Sequence, residues 1–398
     1  MKVTALPKAI WILGLASLFT DISSEMIHSV LPLFLVTSLH ASASIVGLID
    51  GSGEAIASTL KLFSGVLSDH SGRRKPLLIA GYALSALVKP LFALAPNVPI
   101  VLIARCLDRT GKGIRVAPRD ALVADVTEPA VRGAAYGLRQ SLDSIGAFIG
   151  PIIALVVLTY ANNAYRLVFW VALVPGIITV ALLFLGIHEP TRRVESKGNA
   201  PTLNWGSISN LGRGFWLVFA VAMFFTLGNS SDAFILLRAK QMGVASNLVP
   251  LVLVVMNVVY AATAYPVGML SDRIGRKAVI LISFGLYSLV YAGFAVCNSS
   301  WQIWVLLCFY GLYLGLSQGT LLAITADRVP PDRRGTAFGL LNLSIGVGLL
   351  PASLLGGWLW DTVSPQATFW AGSVFAIAAL LLFATDTHGQ VGTPKPKT

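Results

Sequence analysis

The chain has 398 residues, of which 55% are hydrophobic and only 12% are charged. This composition excludes a water-soluble protein of this length, because apolar runs of about 20 residues recur along it. The net charge of +11 would suit a nucleic-acid-binding protein, but the cations cluster in alternate short loops, as membrane topology requires. We therefore expect a membrane protein with no nucleic-acid partner.

Twelve α-helices are predicted, each long enough to cross a hydrocarbon core of about 30 Å. In chain order they span residues 8–37, 44–68, 76–95, 98–121, 132–160, 165–187, 214–240, 247–270, 277–297, 300–326, 334–360 and 365–385. The predicted fold class is an all-α integral membrane protein with two pseudo-symmetric six-helix bundles. The N-terminal bundle covers 1–187, a linker 188–213, the C-terminal bundle 214–386 and a tail 387–398.

Lysines and arginines concentrate in the loops that follow the even-numbered helices, whereas the opposite loops nearly lack them. Because positively charged loops stay in the cytoplasm, we expect both termini, the linker and the tail to be cytoplasmic in a multi-pass protein of the inner membrane. Arg238 and Lys240, at the outer end of the seventh helix, depart from this rule. We interpret them as functional or interfacial residues.

A charged turn between helices 2 and 3 is repeated between helices 8 and 9. Six residues of the first turn recur 203 positions later, namely Gly65, Leu67, Ser68, Asp69, Gly72 and Arg73. A second repeat relates Asp125 and Arg132 to Asp327 and Arg334. A duplication at about half the chain length predicts two copies of one bundle.

The turn resembles the signature loop of the major facilitator superfamily (MFS), G-x-L-x-D-R/H-x-G-R/K-R/K. The resemblance implies two halves that rock around a central site and a gate at the cytoplasmic end. The gating residues it implies in this chain are Gly65, Asp69, Gly72, Arg73, Arg74, Asp125, Arg132, Asp272, Arg276, Asp327 and Arg334. We expect Asp69, Arg73 and Asp125 to form a charge cluster in one state and to separate in another. The alternative is that they only anchor helix ends.

Charged residues inside the predicted spans are concentrated in the N-terminal bundle. Each costs roughly 3 kcal/mol or more at mid-membrane unless it has a partner or an aqueous cavity. At about 100° per residue they form one stripe on each of four helices: Asp21, Glu25 and His28; Asp50, Glu54 and Lys61; Arg105, Asp108, Arg109 and Lys112; Arg139 and Asp143. The interior of the C-terminal bundle has Asp232 and Arg238. We expect a shared polar interior whose charges pair, either as a functional site or as structural contacts.

Two roles are assigned to these charges. The candidates for proton coupling are Asp21, Glu25, Asp50, Glu54 and Asp143, and those for the substrate cavity are Arg105, Asp108, Arg109, Lys112, Arg139 and Asp232. Helix 1 is the preferred proton carrier, because Asp21 lies about 20 Å beyond Lys8 along a helix. Glu25 follows one turn later, and two carboxylates that close disfavour joint ionisation. The rival interpretation makes Asp21 a structural partner of a cation on helix 4.

Helix 5 carries a glycine pattern formed by Gly137, Gly146, Gly150 and Pro151. It resembles the antiporter pattern of the same superfamily, G-x8-G-x3-G-P-x2-G-G, which implies exchange of a substrate for protons. Ala154 and Leu155 replace the final two glycines. The alternative is a plain packing face of small residues. On helix 4, the proton-linked arginine of the superfamily matches either Arg105 or Arg109.

The stretches 19–27 and 108–115 further resemble a bacterial branch similar to drug:proton antiporters. The leading hypothesis is a proton-coupled secondary transporter that exports a small amphiphilic or zwitterionic compound by alternating access. The alternatives are a proton-coupled importer of a charged solute, such as an organic anion or metal chelate, and a membrane sensor or enzyme. We expect no enzymatic activity, no cofactor and no bound metal. The expected partners are a small-molecule substrate, protons and membrane lipid, and the expected state is a monomer.

Overall fold

The computed structural model describes residues 7–71, 74–127, 131–187, 211–329 and 334–385. These residues form fifteen helices: α1 (Lys8–His28), α2 (Leu31–Ser38), α3 (Ala43–Ser71), α4 (Lys75–Leu87), α5 (Lys89–Leu94), α6 (Val98–Asp125), α7 (Arg132–Tyr160), α8 (Tyr165–Gly186), α9 (Gly212–Gly228), α10 (Ala233–Gln241), α11 (Leu251–Ile274), α12 (Arg276–Val296), α13 (Ser300–Asp327), α14 (Arg334–Thr362) and α15 (Pro365–Ala384). The tail and most of the linker, residues 188–210, lie outside the described residues.

The fifteen helices make twelve membrane-length segments. Within the described ranges, nine segments are long and apolar enough to cross a membrane. The other three are α3 and α6, which carry charged stripes, and α11, whose apolar part is Leu251–Ala264. Charged stripes lower the hydropathy of a helix without preventing it from crossing a membrane, provided that the charges face the protein interior. The predicted all-α membrane fold is confirmed.

The two bundles repeat the same helix pairings. In the first bundle α6 packs on α3 and α4, while α1 packs on α7 and α8. In the second bundle α13 packs on α11 and α12, while α9 packs on α14 and α15. The first helix of each bundle therefore contacts the fifth and sixth, as expected for a duplicated unit.

Three segments that were predicted as single helices are broken. The first divides at Ser29–Val30, the third at Val88 and the seventh at 229–232. Pro32 and Pro90 lie in the first turns after two of the breaks and cannot donate the backbone hydrogen bond that a continuous helix needs. At the third break, serine, asparagine and aspartate side chains compete for the backbone.

Arg238 anchors the end of a helix. It is 3% exposed, and its guanidinium donates to the carbonyls of Phe294, Ala295 and Cys297 at 3.0–3.2 Å, where α12 ends. Arg166 does the same in the first bundle, donating to Ala93 and Ala95 at 2.7 and 2.8 Å. Cations stabilise helix C-termini, so these arginines fix corresponding corners of the two bundles.

The bundles meet mainly along α3 and α14. We call the end with the α3–α4 and α11–α12 turns the motif end, and the opposite end the far end. A Cβ on Gly47 would lie 2.3 Å from the Ser353 carbonyl oxygen, and one on Gly357 would lie 2.5 Å from Ser44 Cα. At the motif end, a Cβ on Gly137 or Gly339 would meet no described atom within 4 Å. Among the described residues, the backbones of the two bundles therefore approach most closely toward the far end.

Labelling of introduced cysteines at the two ends of α15 tests the membrane topology. Val363, which is 65% exposed, precedes this helix at the far end, and Thr385 follows it at the motif end. In a chain without its native cysteines, we expect Val363→Cys and Thr385→Cys to react with an impermeant maleimide from opposite sides of the membrane. Reaction of both from one side would contradict a membrane-crossing α15.

Candidate functional site

The glycines of α7 bring it against the acidic stripe of α1. A Cβ on Gly146 would lie 2.6 Å from the Leu18 carbonyl oxygen and 2.9 Å from Asp21 Cβ. A Cβ on Gly150 would lie 2.7 Å from the Ile22 carbonyl oxygen and 2.9 Å from Glu25 Cβ. A larger side chain at either position would separate the helices, so these glycines are needed for the contact. Pro151 follows within α7.

The charged stripe of α6 pairs with acids and bases on neighbouring helices. Arg105 forms an ion pair with Asp50, and Arg109 Nη1 lies 3.0 Å from Glu54 Oε1. The Lys112 ammonium lies 3.9 Å from the same Glu54 oxygen. Asp108 Oδ1 accepts from Lys89 Nζ of α5 at 2.9 Å. The four stripe residues therefore tie α6 to α3 and α5.

Asp50 also provides a polar link between the bundles. One of its oxygens binds Arg105, and the other accepts a hydrogen bond from the Ser231 hydroxyl of the second bundle. The Ser231 oxygen accepts from the Ala233 amide at 3.1 Å, next to the break between α9 and α10. His28 Nε2 lies 3.8 Å from Asp50, and His28 Nδ1 lies 3.5 Å from Glu25.

A cavity of about 450 Å³ lies between α1, α7 and α11. Its lining is formed by Asp21, Gln140, Asp143, Ser144, Ile145, Ala147, Phe148, Asn257, Val258, Tyr260 and Ala261. Asp143 is ion-paired with Arg139. Asp21 has no ion pair and no hydrogen bond from its side chain among the described residues. It is therefore the cavity carboxylate whose charge is not balanced by a direct partner.

The second bundle surrounds its one central acid with tyrosines. Asp232 precedes α10 and accepts a hydrogen bond from the Tyr310 hydroxyl at 3.0 Å. The rings of Tyr287 and Tyr291 stack at 4.1 Å, and Tyr313 lies 4.8 Å from Tyr287. We did not predict this cluster, although its spacings of three and four residues along α12 and α13 are those of one helix face.

Lys61 is exposed and does not join the ion pairs of the α3 stripe, although it shares their helical spacing. The stripe therefore extends beyond the buried ion pairs, to a residue in the motif-end half of α3 whose side chain is exposed.

At the motif end, an ion pair lies within each bundle. Arg74 Nε lies 2.6 Å from Asp125 Oδ2, and Arg276 pairs with Asp327. Gly65 faces Ala117 of α6, 3.4 Å from a built Cβ. Gly72 and Arg73 lie outside the described residues, as do the side chains of Asp69, Arg132, Asp272 and Arg334, so the expected gate cluster stays a prediction.

The sequence model of the protein family Major Facilitator Superfamily matches residues 13–245 and 218–398. The chain belongs to this superfamily. It is 35% identical over 386 residues to the MFS-type transporter MJ1317 of Methanocaldococcus jannaschii, covering 95% of each chain. It is 24% identical over 339 residues to the multidrug resistance protein MdtH of Photorhabdus laumondii, covering 85% of this chain and 83% of that protein.

Solved transporters share the fold. A mutant of the nucleoside transporter NupG aligns with a TM-score of 0.80 at 12% identity, covering 94% of this chain and 98% of that one. A bacterial homolog of the human lysosomal transporter Spinster aligns with a TM-score of 0.77 at 16% identity, covering 94% and 95%. The protein is thus a multi-pass membrane transporter of small molecules and not an enzyme. Membership of this superfamily confirms the resemblance of the charged turn to the MFS signature loop.

Removal of one partner from the buried Lys89–Asp108 pair tests the charge network. The side chains are only 2% and 8% exposed. We expect Lys89→Met to lower the free energy of unfolding by about 3–5 kcal/mol, since it leaves a buried carboxylate unpaired. The double variant Lys89→Met/Asp108→Asn should recover most of this loss. Chemical unfolding in detergent micelles measures both, with the exposed Lys61→Met as control. Equal losses in single and double variants would contradict the pairing.

Proposed function

We propose that this MFS transporter is a proton-coupled antiporter that exports a small amphiphilic or zwitterionic compound by alternating access. The observation that carries the proposal is Asp21, an acid without a direct partner in the cavity between the two bundles. The proposed partners of the protein are the transported compound, protons and membrane lipid, and the proposed working unit is a monomer in the inner membrane.

Proton exchange at Asp21 does not require an ion pair to break. The carboxylates of Asp50, Glu54, Asp108 and Asp143 each lie beside a cation, and protonation of any of them would leave that cation buried and uncompensated. Asp21 carries no such constraint. It also lies on α1 at the α7 contact, so a change in its charge acts where two helices of the N-terminal bundle meet.

The cavity lining suits a compound with both polar and apolar parts. Ile145, Phe148 and Val258 supply apolar surface, while Gln140 and Asn257 supply amide groups. A volume of about 450 Å³ falls within the usual range for small-molecule sites. Asp21 would provide the charge that a zwitterion or an amphiphilic amine requires.

Export is supported by the end of the molecule at which the two bundles approach each other most closely. The backbones of the described residues approach most closely toward the far end, and the positively charged loops favour the motif end as the cytoplasmic side. A cavity open there can load a cytoplasmic compound. The glycine contact between α7 and α1 agrees with the antiporter pattern, and MdtH is a relative whose name denotes multidrug resistance.

Import of an anion is the second candidate. Lys112 is 43% exposed and lies 3.9 Å from Glu54, so its ammonium is less committed than the buried arginines. Right-side-out and inverted vesicles, each energised by a pH gradient, distinguish the two: an exporter accumulates its compound only in inverted vesicles.

Asp21→Asn tests the coupling role. In proteoliposomes loaded with ethidium as the first probe, we expect the variant to keep ethidium exchange but to lose accumulation driven by a pH gradient, because an amide cannot exchange a proton. Thr37→Ala, which removes a hydroxyl that donates to the Leu33 carbonyl outside the cavity, is the control and should retain accumulation. The coupling role would be wrong if Asp21→Asn and Glu25→Gln both still concentrated ethidium under a pH gradient alone.

A further inference from the structure

An aspartate of the second bundle completes the start of a helix in the first. Asp361, in the last turn of α14, accepts hydrogen bonds from the backbone amides of Ala43 and Ser44 at 3.0 and 2.8 Å. These are the first two residues of α3. The first amides of a helix have no acceptor within the helix, and an anion there is stabilised by the helix dipole. The cap of α3 thus comes from the opposite bundle.

A glycine one turn earlier makes this contact possible. Gly357 lies four residues before Asp361, on the same face of α14. A Cβ at Gly357 would lie 2.5 Å from Ser44 Cα and 2.8 Å from the Ala43 carbonyl oxygen. Any larger residue would separate the helices and move the Asp361 carboxylate away from the two amides.

A second contact occupies the corresponding place in the duplicated structure. The repeat relates α3 to α11 and α14 to α7. At the end of α7, the Thr159 hydroxyl accepts a hydrogen bond from the Asn247 side chain at 3.1 Å, and Asn247 lies just before α11. The Asp361 contact joins a carboxylate to two backbone amides, whereas the Asn247–Thr159 contact joins two neutral side chains.

We propose that Asp361 is the principal positioning residue of the far-side gate in the transport cycle. Alternating access requires the bundles to separate at the far end, and both contacts must then break. The Asp361 contact holds the far end closed more strongly, because it supplies a carboxylate to two amides at a helix N-terminus. The role concerns the movement of the bundles and is independent of the compound transported and of the coupling ion.

Two introduced cysteines report separately on opening at the far end and at the motif end, in purified protein without its native cysteines. Ser353→Cys lies fully buried at the contact between the bundles, and Gln140→Cys lines the cavity. We expect Asp361→Ala to raise the alkylation rate of Ser353→Cys about fivefold to thirtyfold, the factor that corresponds to losing a strong helix cap. Alkylation of Gln140→Cys should slow, because the population shifts away from the motif-open state.

Matched variants separate gating from loss of structure. Thr362→Ala, the neighbouring residue, removes a hydroxyl that bonds only to Trp358 of its own helix and should leave both rates unchanged. Asp361→Asn, which keeps the size and one acceptor, should give a smaller shift in the same direction, and Asn247→Ala a smaller one again. Faster alkylation of both reporters would indicate general loosening and overturn the proposal, as would unchanged rates.

A crosslink provides a second measurement, in which a covalent tether replaces the cap and the protein is compared before and after the reagent is added. With Ser44→Cys and Asp361→Cys joined by a short bis-thiol reagent, the far end cannot open. We expect ethidium exchange by proteoliposomes to stop on crosslinking and to return when a reducible tether is cleaved. In a separate sample that also carries Gln140→Cys, this cysteine should still react with a maleimide added after crosslinking, which reports an intact motif-open state. Continued transport through a fully crosslinked protein would overturn the gate.

Discussion

A charged side chain cannot remain alone in hydrocarbon, and this constraint organises the first bundle. Each cation of the α6 stripe lies beside an acid of α3, and the stripe's own acid lies beside Lys89 of α5. Because breaking such a pair leaves a buried charge uncompensated, α3, α5 and α6 are held in one arrangement. These three helices are therefore expected to move together, and protonation of Asp21, which lies outside these pairs, leaves that arrangement intact.

The contacts between the two bundles differ in kind from the ion pairs inside the first bundle. The contacts between the bundles rely on glycines that permit close backbone approach, on the helix-capping hydrogen bonds of Asp361 and on the neutral hydrogen bond between Asn247 and Thr159. The described ion pairs lie within bundles rather than between them, and Asp50 reaches the second bundle through the Ser231 hydroxyl. Such contacts break at lower cost than buried ion pairs, which permits two stable bundles to separate and reclose. In the second bundle, packed tyrosines and phenylalanines surround the central acid instead of a charge network.

The number of membrane-length segments, the duplication and the charged stripes could all be predicted from the sequence, because each depends on local hydropathy and spacing. The partners of the charges could not. Asp21 and Asp50 have the same pattern along their helices, but Asp50 meets Arg105 and Ser231, while Asp21 faces a cavity. Lys61 fits the α3 stripe by spacing but lies in an exposed place. The cap of α3 by Asp361 joins residues 317 and 318 positions apart, and helical periodicity contains no information about such a contact.

The breaks at 29–30 and 229–232 show the same limit. Pro32 and the polar run at 229–232 favour a break locally, but the direction in which each next helix continues depends on packing, which helical periodicity does not describe.

Infrared difference spectroscopy of the purified protein between neutral and acidic pH tests the central role of Asp21 most directly. We expect a protonated-carboxyl band that is lost in Asp21→Asn. The band should be retained in Glu54→Gln, because the Glu54 carboxylate is paired with Arg109 and Lys112 and does not contribute to it. A band that persists unchanged in Asp21→Asn would contradict proton exchange at this residue.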